Sequence, residues 1–143
     1  MDAGPVVAAG ALERALARVG DRWSLLVVEA LLPGPRRFGE LSTAVTGIAP
    51  NILTARLRRL TDDRLVVGTP YSQRPRRLQY ELTADGRELA GALAVLASWA
   101  ARVDALPGGG FHDACGTPLE LRAYCPTCHR IVDDGDVGDV HHL

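Results

Sequence analysis

One histidine and three cysteines in the last third of the chain have the spacing of a metal site. They follow the pattern H-x2-C-x9-C-x2-C and are His112, Cys115, Cys125 and Cys128. Zn²⁺ prefers four tetrahedral nitrogen and sulfur ligands, and two close ligand pairs on tight turns supply them. Four protein ligands would close the coordination sphere, so the pattern predicts a structural ion rather than a catalytic one. His129, next to Cys128, is the competing fourth ligand.

The same cysteines permit other chemistry. A thiol-disulfide oxidoreductase could form its reversible disulfide within Cys125-Pro126-Thr127-Cys128. Such enzymes place this motif in a βαβ unit, and the sequence shows no βαβ pattern around it. An odd count of three cysteines makes a disulfide framework a poor interpretation. A segment of about twenty residues cannot bury enough apolar surface to fold alone, which favours zinc over the redox pair or free thiols.

A second group of residues has the chemistry to bind a polyanion. The whole chain has a formal charge of −1, yet residues 36–77 contain nine arginines against three acidic residues, a local charge of +6. Residues 105–143 carry a local charge of −4. Because local charge governs binding to a polyanion, the basic block outweighs the total. Arg74, Arg76 and Arg77 repel one another, so an anionic partner explains this cluster better than a structural role.

The elements that must position these arginines follow from the apolar spacing. Up to residue 63, stretches with the apolar spacing of a helix are separated by turn residues. Apolar and polar residues then alternate with a period of two, and one long stretch with helical spacing ends the domain. Asp21 and Thr83 are suited to cap the helices that follow them. We expect helices over residues 12–19, 23–32, 38–45, 50–63 and 83–106, and paired strands over 66–70 and 77–82. This predicts a mainly α fold with a small β-hairpin wing (α+β), a winged helix-turn-helix domain with a small C-terminal zinc-ribbon-like appendage.

The helix that begins at Pro50 has two distinct faces. Leu53, Leu57 and Leu60 fall within about 60° of one another and form a core stripe. Asn51 and Arg58 fall on the opposite side, with Thr54 and Arg59 flanking them. Asparagine pairs well with adenine and arginine with guanine in a major groove, so this face predicts base reading. The candidate DNA-binding residues are Asn51, Thr54 and Arg58 for bases, Arg59, Arg36 and Arg37 for phosphates, and Arg74, Arg76 and Arg77 of the wing for backbone or minor groove.

The last helix carries more apolar surface than one core needs. Its apolar residues recur at 89, 93, 96, 100 and 103, and a second row, Ala92, Val95 and Trp99, lies alongside. A surface helix of a small monomer needs one stripe, so two adjoining stripes indicate a partner chain. A single wide core stripe is the alternative.

With these residues laid out, the chain from about Leu12 to Ala101 resembles the HxlR-type family of bacterial winged-helix transcription regulators. The matching stretches are ALERALARVGDRWSLLVVEALLPGPRRFGEL, GIAPNILTARLRRLTDDRLV and RPRRLQYELTADGREL. The resemblance implies homodimers, formed through the first and last helices of the domain, that bind pseudo-palindromic operators. The expected interface residues are Leu12, Leu16, Leu89, Leu93, Leu96, Ala100 and Val103.

The chain departs from the family pattern at two places. Many members sense oxidants or electrophiles with a cysteine just before the first helix, where this chain has Ala8-Ala9-Gly10-Ala11. Sensing at that position is therefore excluded, and any small-molecule effector is unidentified. Ala49 stands where the family often has serine, so the helix at Pro50 loses a side-chain cap worth ~1 kcal/mol.

The predicted organisation has three parts: a DNA-binding and dimerisation domain over residues 10–106, the zinc-ribbon-like segment over 111–132, and a disordered acidic tail over 133–143. The first ten residues lack the basic region of a secretory signal, and the longest apolar run, 89–101, is shorter than the ~18 residues of a membrane span. We therefore expect a cytoplasmic protein without a membrane partner.

The function that fits these features is a non-enzymatic, sequence-specific transcriptional regulator that binds double-stranded DNA as a homodimer. Two alternatives remain open at this point. One is a redox protein that uses Cys125 and Cys128. The other is a winged-helix protein-interaction module that never contacts DNA, although such a module has no need of arginines at the wing.

Overall fold

The structure is a computed structural model that describes residues 10–106, 112–120, 122–133 and 135. Helices and a small antiparallel sheet alternate as a winged helix-turn-helix requires, which confirms that part of the predicted fold. Most of the expected tail over 133–143 lies outside the described residues. The helices are α1 (Ala11–Val19), α2 (Arg22–Leu31), α3 (Phe38–Ala44), α4 (Pro50–Asp62) and α5 (Ala84–Val103), and the strands are β1 (Arg36–Arg37), β2 (Val66–Gln73), β3 (Arg76–Leu82), β4 (Ala123–Cys125) and β5 (Arg130–Val132).

The chain divides into two compact units. Residues 12–93 form one unit, and the described residues from 94 onward belong to the other together with residues 10–11. The division falls inside α5, whereas the sequence placed the boundary after residue 106. In the second unit β4 and β5 pair as an antiparallel hairpin, with Tyr124 opposite Ile131.

Helix α2 lies at the centre of the first unit. Val27, Val28 and Leu31 are fully buried, as expected for a helix that is apolar on almost every side. The inner stripe of α4, which is Leu53, Leu57 and Leu60, completes this core. Each fully buried leucine or valine contributes roughly 1.5–3 kcal/mol relative to an exposed one, so α2 and α4 are held firmly against each other.

Asp21 fixes both the beginning of α2 and the position of α4. Its carboxylate accepts hydrogen bonds from the backbone N–H groups of Trp23 (3.1 Å) and Ser24 (3.0 Å) and from the Ser24 hydroxyl (2.5 Å). The Nε atom of Arg56 on α4 lies 2.8 Å from Asp21 Oδ1. Burial alone would raise the pKa of Asp21, but the hydrogen bonds from Ser24 and Trp23 and the Arg56 charge together hold this pKa below its usual value.

The connection between α3 and α4 is a tight turn. Gly47 has a φ of +83°, a left-handed conformation that glycine adopts without steric cost. Ile48 is 7% exposed and belongs to the core between the two helices. Pro50 begins α4, and Ala49 provides no side-chain cap, so the expected loss of a cap is confirmed.

The wing is a three-stranded antiparallel sheet in the order β1–β3–β2, and two features of it were not predicted. Arg36 and Arg37 form β1 and pair with Tyr80 and Gln79 of β3. The predicted loop over residues 71–76 was wrong, because β2 and β3 continue to a two-residue turn at 74–75 with an irregularity near Tyr71. Cross-strand hydrogen bonding therefore reaches the wing tip.

Helix α5 begins against the start of β2. The Thr83 hydroxyl accepts a hydrogen bond from Gly86 N (3.1 Å), so the predicted cap is present, and it donates to Arg64 O (2.7 Å). A Cβ atom on the buried Gly86 would collide with the Leu65 carbonyl oxygen, so only glycine fits this close approach.

The apolar residues along α5 differ in burial. Leu89 and Leu93, which were expected at a dimer interface, pack against the core of their own chain. Leu96 is 51% exposed, Trp99 56% and Val103 63%. No helix in the described part of the chain combines the length and the apolar character needed to cross a membrane.

Replacement of Asp21 tests the cap and the ion pair together. Asp21→Ala should lower the free energy of unfolding by about 1–2 kcal/mol at pH 7, because two N–H groups and Arg56 lose their acceptor. Asp21→Asn should lower it less, since the amide oxygen still caps α2. A carboxyl group with a lowered pKa stabilises the fold fully above about pH 4, and this contribution is lost as the pH falls through the lower folded-state pKa. The deficit of Asp21→Asn should therefore shrink between pH 7 and pH 3 in urea unfolding followed by circular dichroism; an unchanged deficit would contradict this role.

Candidate nucleic-acid interface

The outer face of α4 carries the polar residues that the helical wheel placed there. Asn51, Thr54 and Arg58 are exposed, while the inner leucines are at most 2% exposed. The helix thus presents an amide, a hydroxyl and a guanidinium on its solvent side. These groups have the size and hydrogen-bonding capacity to reach base edges in a major groove.

The hydroxyl of Thr54 has only part of its hydrogen-bonding capacity left. Its Oγ1 atom donates to the Pro50 carbonyl oxygen at 2.9 Å, one turn earlier in α4. A hydroxyl has one proton and two acceptor lone pairs. Thr54 can therefore accept a hydrogen bond from a ligand but cannot donate one without breaking this contact.

The three arginines of α4 have different surroundings. The Arg56 guanidinium faces Asp21, as described above. Arg59 donates from Nη2 to the carbonyl oxygen of Ala17 in the last turn of α1, where carbonyl groups lack intrahelical partners. Arg58 is exposed and has no ion-pair partner within the described ranges. Arg59 thus links α4 to α1, whereas Arg58 extends from the helix toward solvent.

An open groove of about 440 Å³ lies between the start of α3 and the wing, and we call it the wing groove. It is basic and aromatic. The guanidinium carbon of Arg37 lies 4.3 Å from the centroid of the Tyr71 ring, a cation–π contact that orients the arginine. Burial raises the pKa of the Tyr80 phenol above its ordinary value. The wing groove is lined by Arg37, Phe38, Gly39, Tyr71, Arg76, Arg77, Leu78 and Tyr80.

The remaining predicted arginines lie outside the wing groove. Arg36 and Arg37 are successive residues of β1, so their side chains point to opposite faces of the sheet. Arg36 lines a separate surface with Gly39 and Thr43 of α3. Arg74 is exposed in the turn between β2 and β3. The structure thus gathers Arg37, Arg76 and Arg77 and separates Arg36 and Arg74 from them.

Tyr71 was missed in the sequence interpretation. It fell between the predicted strands over 66–70 and 77–82, but it lies at the irregularity in β2, where its ring contacts Arg37. Pro70 was the available signal, because a proline inside a strand favours an edge or a bulge. The partner of the ring could not be inferred, since Arg37 belongs to a strand that was itself not predicted.

The four predicted metal ligands form two pairs. His112 Nδ1 lies 3.3 Å from Cys115 Sγ, and Cys125 Sγ accepts a hydrogen bond from Cys128 N at 3.4 Å. Hydrogen bonding with Thr117 lowers the pKa of Cys115, and hydrogen bonding with Cys128 and Thr127 lowers the pKa of Cys125. Among the residues that the structure covers, no three metal-ligating side chains surround one point. The described residues therefore form two separate pairs, and the structure does not bring the four side chains together.

Comparison with known proteins gives consistent matches. A model of the HxlR-like helix-turn-helix family matches residues 18–105. An HTH-type transcriptional regulator of Mycobacterium tuberculosis is 39% identical over 119 residues, covering 80% of this chain and 75% of that protein. An HTH-type transcriptional regulator of Bacillus subtilis, YtcD, is 33% identical over 90 residues, covering 63% of this chain and 71% of that one.

Solved structures give the same result. The Pseudomonas aeruginosa protein PA1374 superimposes with a TM-score of 0.69 at 35% identity, covering 88% of each chain. The reduced transcriptional regulator YodB of B. subtilis has a TM-score of 0.56 at 28% identity, covering 64% of this chain and 89% of that one. YodB has also been solved after diamide treatment and with quinone bound.

The neighbouring residues Arg58 and Arg59 provide a matched test of this interface. Arg59→Ala should lower the free energy of unfolding by about 0.5–1.5 kcal/mol, because the Ala17 carbonyl loses a charged donor. Arg58→Ala should change it by less than about 0.5 kcal/mol, as for most surface substitutions. Urea unfolding of both variants at one protein concentration measures the difference. Equal stability of the two variants would show that the contact between Arg59 and α1 does not hold α4 in place.

Proposed function

The chain belongs to the HxlR-like helix-turn-helix family of transcriptional regulators, and we propose that it binds double-stranded DNA in a sequence-specific manner as a homodimer. The observation that carries this proposal is that one compact unit contains both the polar face of α4 and the basic wing groove. The solvent face of α4 presents Asn51 and Arg58, and the wing groove of the same unit gathers three arginines. One surface reads bases and the other holds the DNA backbone.

In this proposal α4 enters the major groove. Asn51 faces an adenine and Arg58 a guanine, because a side-chain amide and a guanidinium make two hydrogen bonds to the edges of these bases. Thr54 acts as an acceptor only, since its proton is engaged by Pro50. The amino groups of cytosine and adenine are its suitable partners.

The arginines of the wing groove bind phosphates. Arg37 is preoriented by Tyr71, and Arg76 and Arg77 line the same groove, so an anionic oxygen there meets several donors at once. Arg74 at the wing tip reaches the backbone or a narrow minor groove, whose potential is the most negative. Arg36 and the remaining N–H groups of Arg59 hold phosphates that flank α4.

The homodimer brings two copies of α4 to successive major grooves, about 34 Å apart on the DNA. Its support is the apolar surface that remains on α1 and on the second half of α5. Leu12 is 73% exposed and Leu16 55%, and Leu96, Trp99 and Val103 are all more than half exposed. Large apolar side chains in such numbers mark interaction sites. Leu89 and Leu93 contribute less than the sequence suggested, because they pack against their own core.

The DNA proposal predicts different effects for the two kinds of arginine. Operators are first selected from fragments of the host genome, and affinities are then measured by fluorescence anisotropy. Arg58→Ala should cost about 1–3 kcal/mol on the selected operator and relax the preference at one base pair. Arg76→Ala should weaken binding to operator and unrelated DNA alike and reduce the steepness of the salt dependence.

The control is Glu81 on β3, which belongs to neither group of proposed DNA-binding residues. Glu81→Gln should leave the operator preference unchanged. Affinity that stays flat between low and moderate salt would contradict the phosphate contacts. Loss of operator preference in Arg76→Ala but not in Arg58→Ala would contradict the assignment of base reading to α4.

The dimer proposal is tested by charge insertion. Leu96→Glu should raise the dimer dissociation constant about a hundredfold or more, because burial of an unpaired carboxylate costs at least about 3 kcal/mol. Val67→Glu, on a residue of β2 that is 41% exposed, is the matched control and should leave the dimer intact. Sedimentation equilibrium measures both. A wild-type chain that is monomeric at micromolar concentration, or a Leu96→Glu variant that dimerises normally, would overturn the proposal.

A further inference from the structure

The two cysteine-containing turns of the second compact unit are built alike. In the first, Cys115 N and Gly116 N donate to His112 O at 3.1 and 2.7 Å. In the second, Cys128 N donates to Cys125 Sγ at 3.4 Å. The residue that follows each pair is left-handed, with φ of +68° at Gly116 and +53° at His129. We propose that these turns are the two halves of one structural zinc site with His112, Cys115, Cys125 and Cys128 as ligands.

The geometry of the first pair fits such a site. A tetrahedral zinc ion with Zn–S near 2.3 Å and Zn–N near 2.0 Å places its sulfur and nitrogen ligands about 3.5 Å apart. The distance from His112 Nδ1 to Cys115 Sγ is 3.3 Å. The two donor atoms already converge, so the ion needs little rearrangement within this pair.

The backbone of the second pair supports the same conclusion. The left-handed conformation costs roughly 1–2 kcal/mol for a residue other than glycine. His129 adopts it immediately after Cys128, at the position that corresponds to Gly116 in the first turn. This conformation turns the chain sharply at the end of the pair and leaves Cys125 and Cys128 on one compact turn.

The apolar side chains around the turns cannot hold them in place. Leu119, Tyr124 and Ile131 are each more than half exposed, and β4 and β5 have three residues each. A two-stranded hairpin of this size is marginal in water. Joining the two ligand pairs through one ion would add the missing cross-link, as in other small segments that lack a core.

The structure also distinguishes the two candidate histidines. The Tyr124 hydroxyl lies 3.1 Å from His129 Nδ1, so this ring has a partner on the hairpin. His112 instead directs its Nδ1 at Cys115 Sγ. We assign His112 as the fourth ligand because its Nδ1 already converges with the sulfur of a second ligand, while the left-handed backbone of His129 shapes the turn after Cys128. With four protein ligands, the site stabilises the segment and offers no open position for catalysis.

The test uses the full chain, reduced and freed of metal, then titrated with Co²⁺ and Zn²⁺ under anaerobic conditions. Cobalt absorption reports tetrahedral thiolate coordination, and zinc competition gives the affinity. One ion per chain is expected. His112→Asn should weaken zinc binding by more than about 100-fold, since even outer-shell changes at zinc sites cost 10–100-fold. His129→Asn is the matched control and should retain binding within a few-fold.

Each other outcome overturns part of the proposal. Unchanged affinity in Cys125→Ser, or no tetrahedral cobalt spectrum in the wild type, excludes the site. Loss of binding in His129→Asn with retention in His112→Asn reverses the assignment of the histidine. A protein that binds no metal and cycles a Cys125–Cys128 disulfide with a reductant is a redox pair instead. Thermal unfolding of the full-length variants, followed by the helical signal in far-ultraviolet circular dichroism, checks that they remain folded.

Discussion

The position of α4 depends on its contact with α2. Three leucines of α4 are buried on α2, and Asp21 at the beginning of α2 forms an ion pair with Arg56 of α4. The same carboxylate caps α2, so one side chain determines where the central helix begins and how the outer helix is oriented. Every group on the solvent face of α4 is placed by this contact, because the helix is rigid between its buried and exposed sides.

The arginines of the first unit have different structural roles, which the composition of the chain does not reveal. Arg56 and Arg59 support α4 through Asp21 and Ala17, while Arg58 extends into solvent. At the wing, Tyr71 orients Arg37 toward the groove that Arg76 and Arg77 share. A stretch that looks uniformly basic in sequence therefore separates into arginines that hold the fold and arginines that are available to a polyanion. The net charge of −1 conceals this basic stretch because the acidic residues are concentrated elsewhere, with −4 over residues 105–143 against +6 over residues 36–77.

Local interactions were predictable, and long-range ones were not. The caps at Asp21 and Thr83, the turn at Gly47 and the inner stripe of α4 each depend on residues within a few positions. The Arg59–Ala17 contact joins residues 42 positions apart, and β1 exists only because β3 returns beside it. Helical periodicity likewise placed Leu89 and Leu93 on one apolar stripe of α5. It could not show whether this stripe packs against the core of its own chain or against a partner chain. The pairing of His112 with Cys115 and of Cys125 with Cys128 was visible in their spacing, since each pair lies on one turn.

We propose that two copies of α4 read DNA as a two-fold pair, and footprinting on a selected genomic fragment can show both copies at once. Hydroxyl-radical cleavage reports backbone protection, and dimethyl sulfate reports access to guanine in the major groove. If two copies of α4 occupy successive major grooves, two symmetric protected segments should appear with their centres about one helical turn apart and with guanine protection inside each. A single protected patch without symmetry, or protection confined to the backbone with guanines fully reactive, would contradict it.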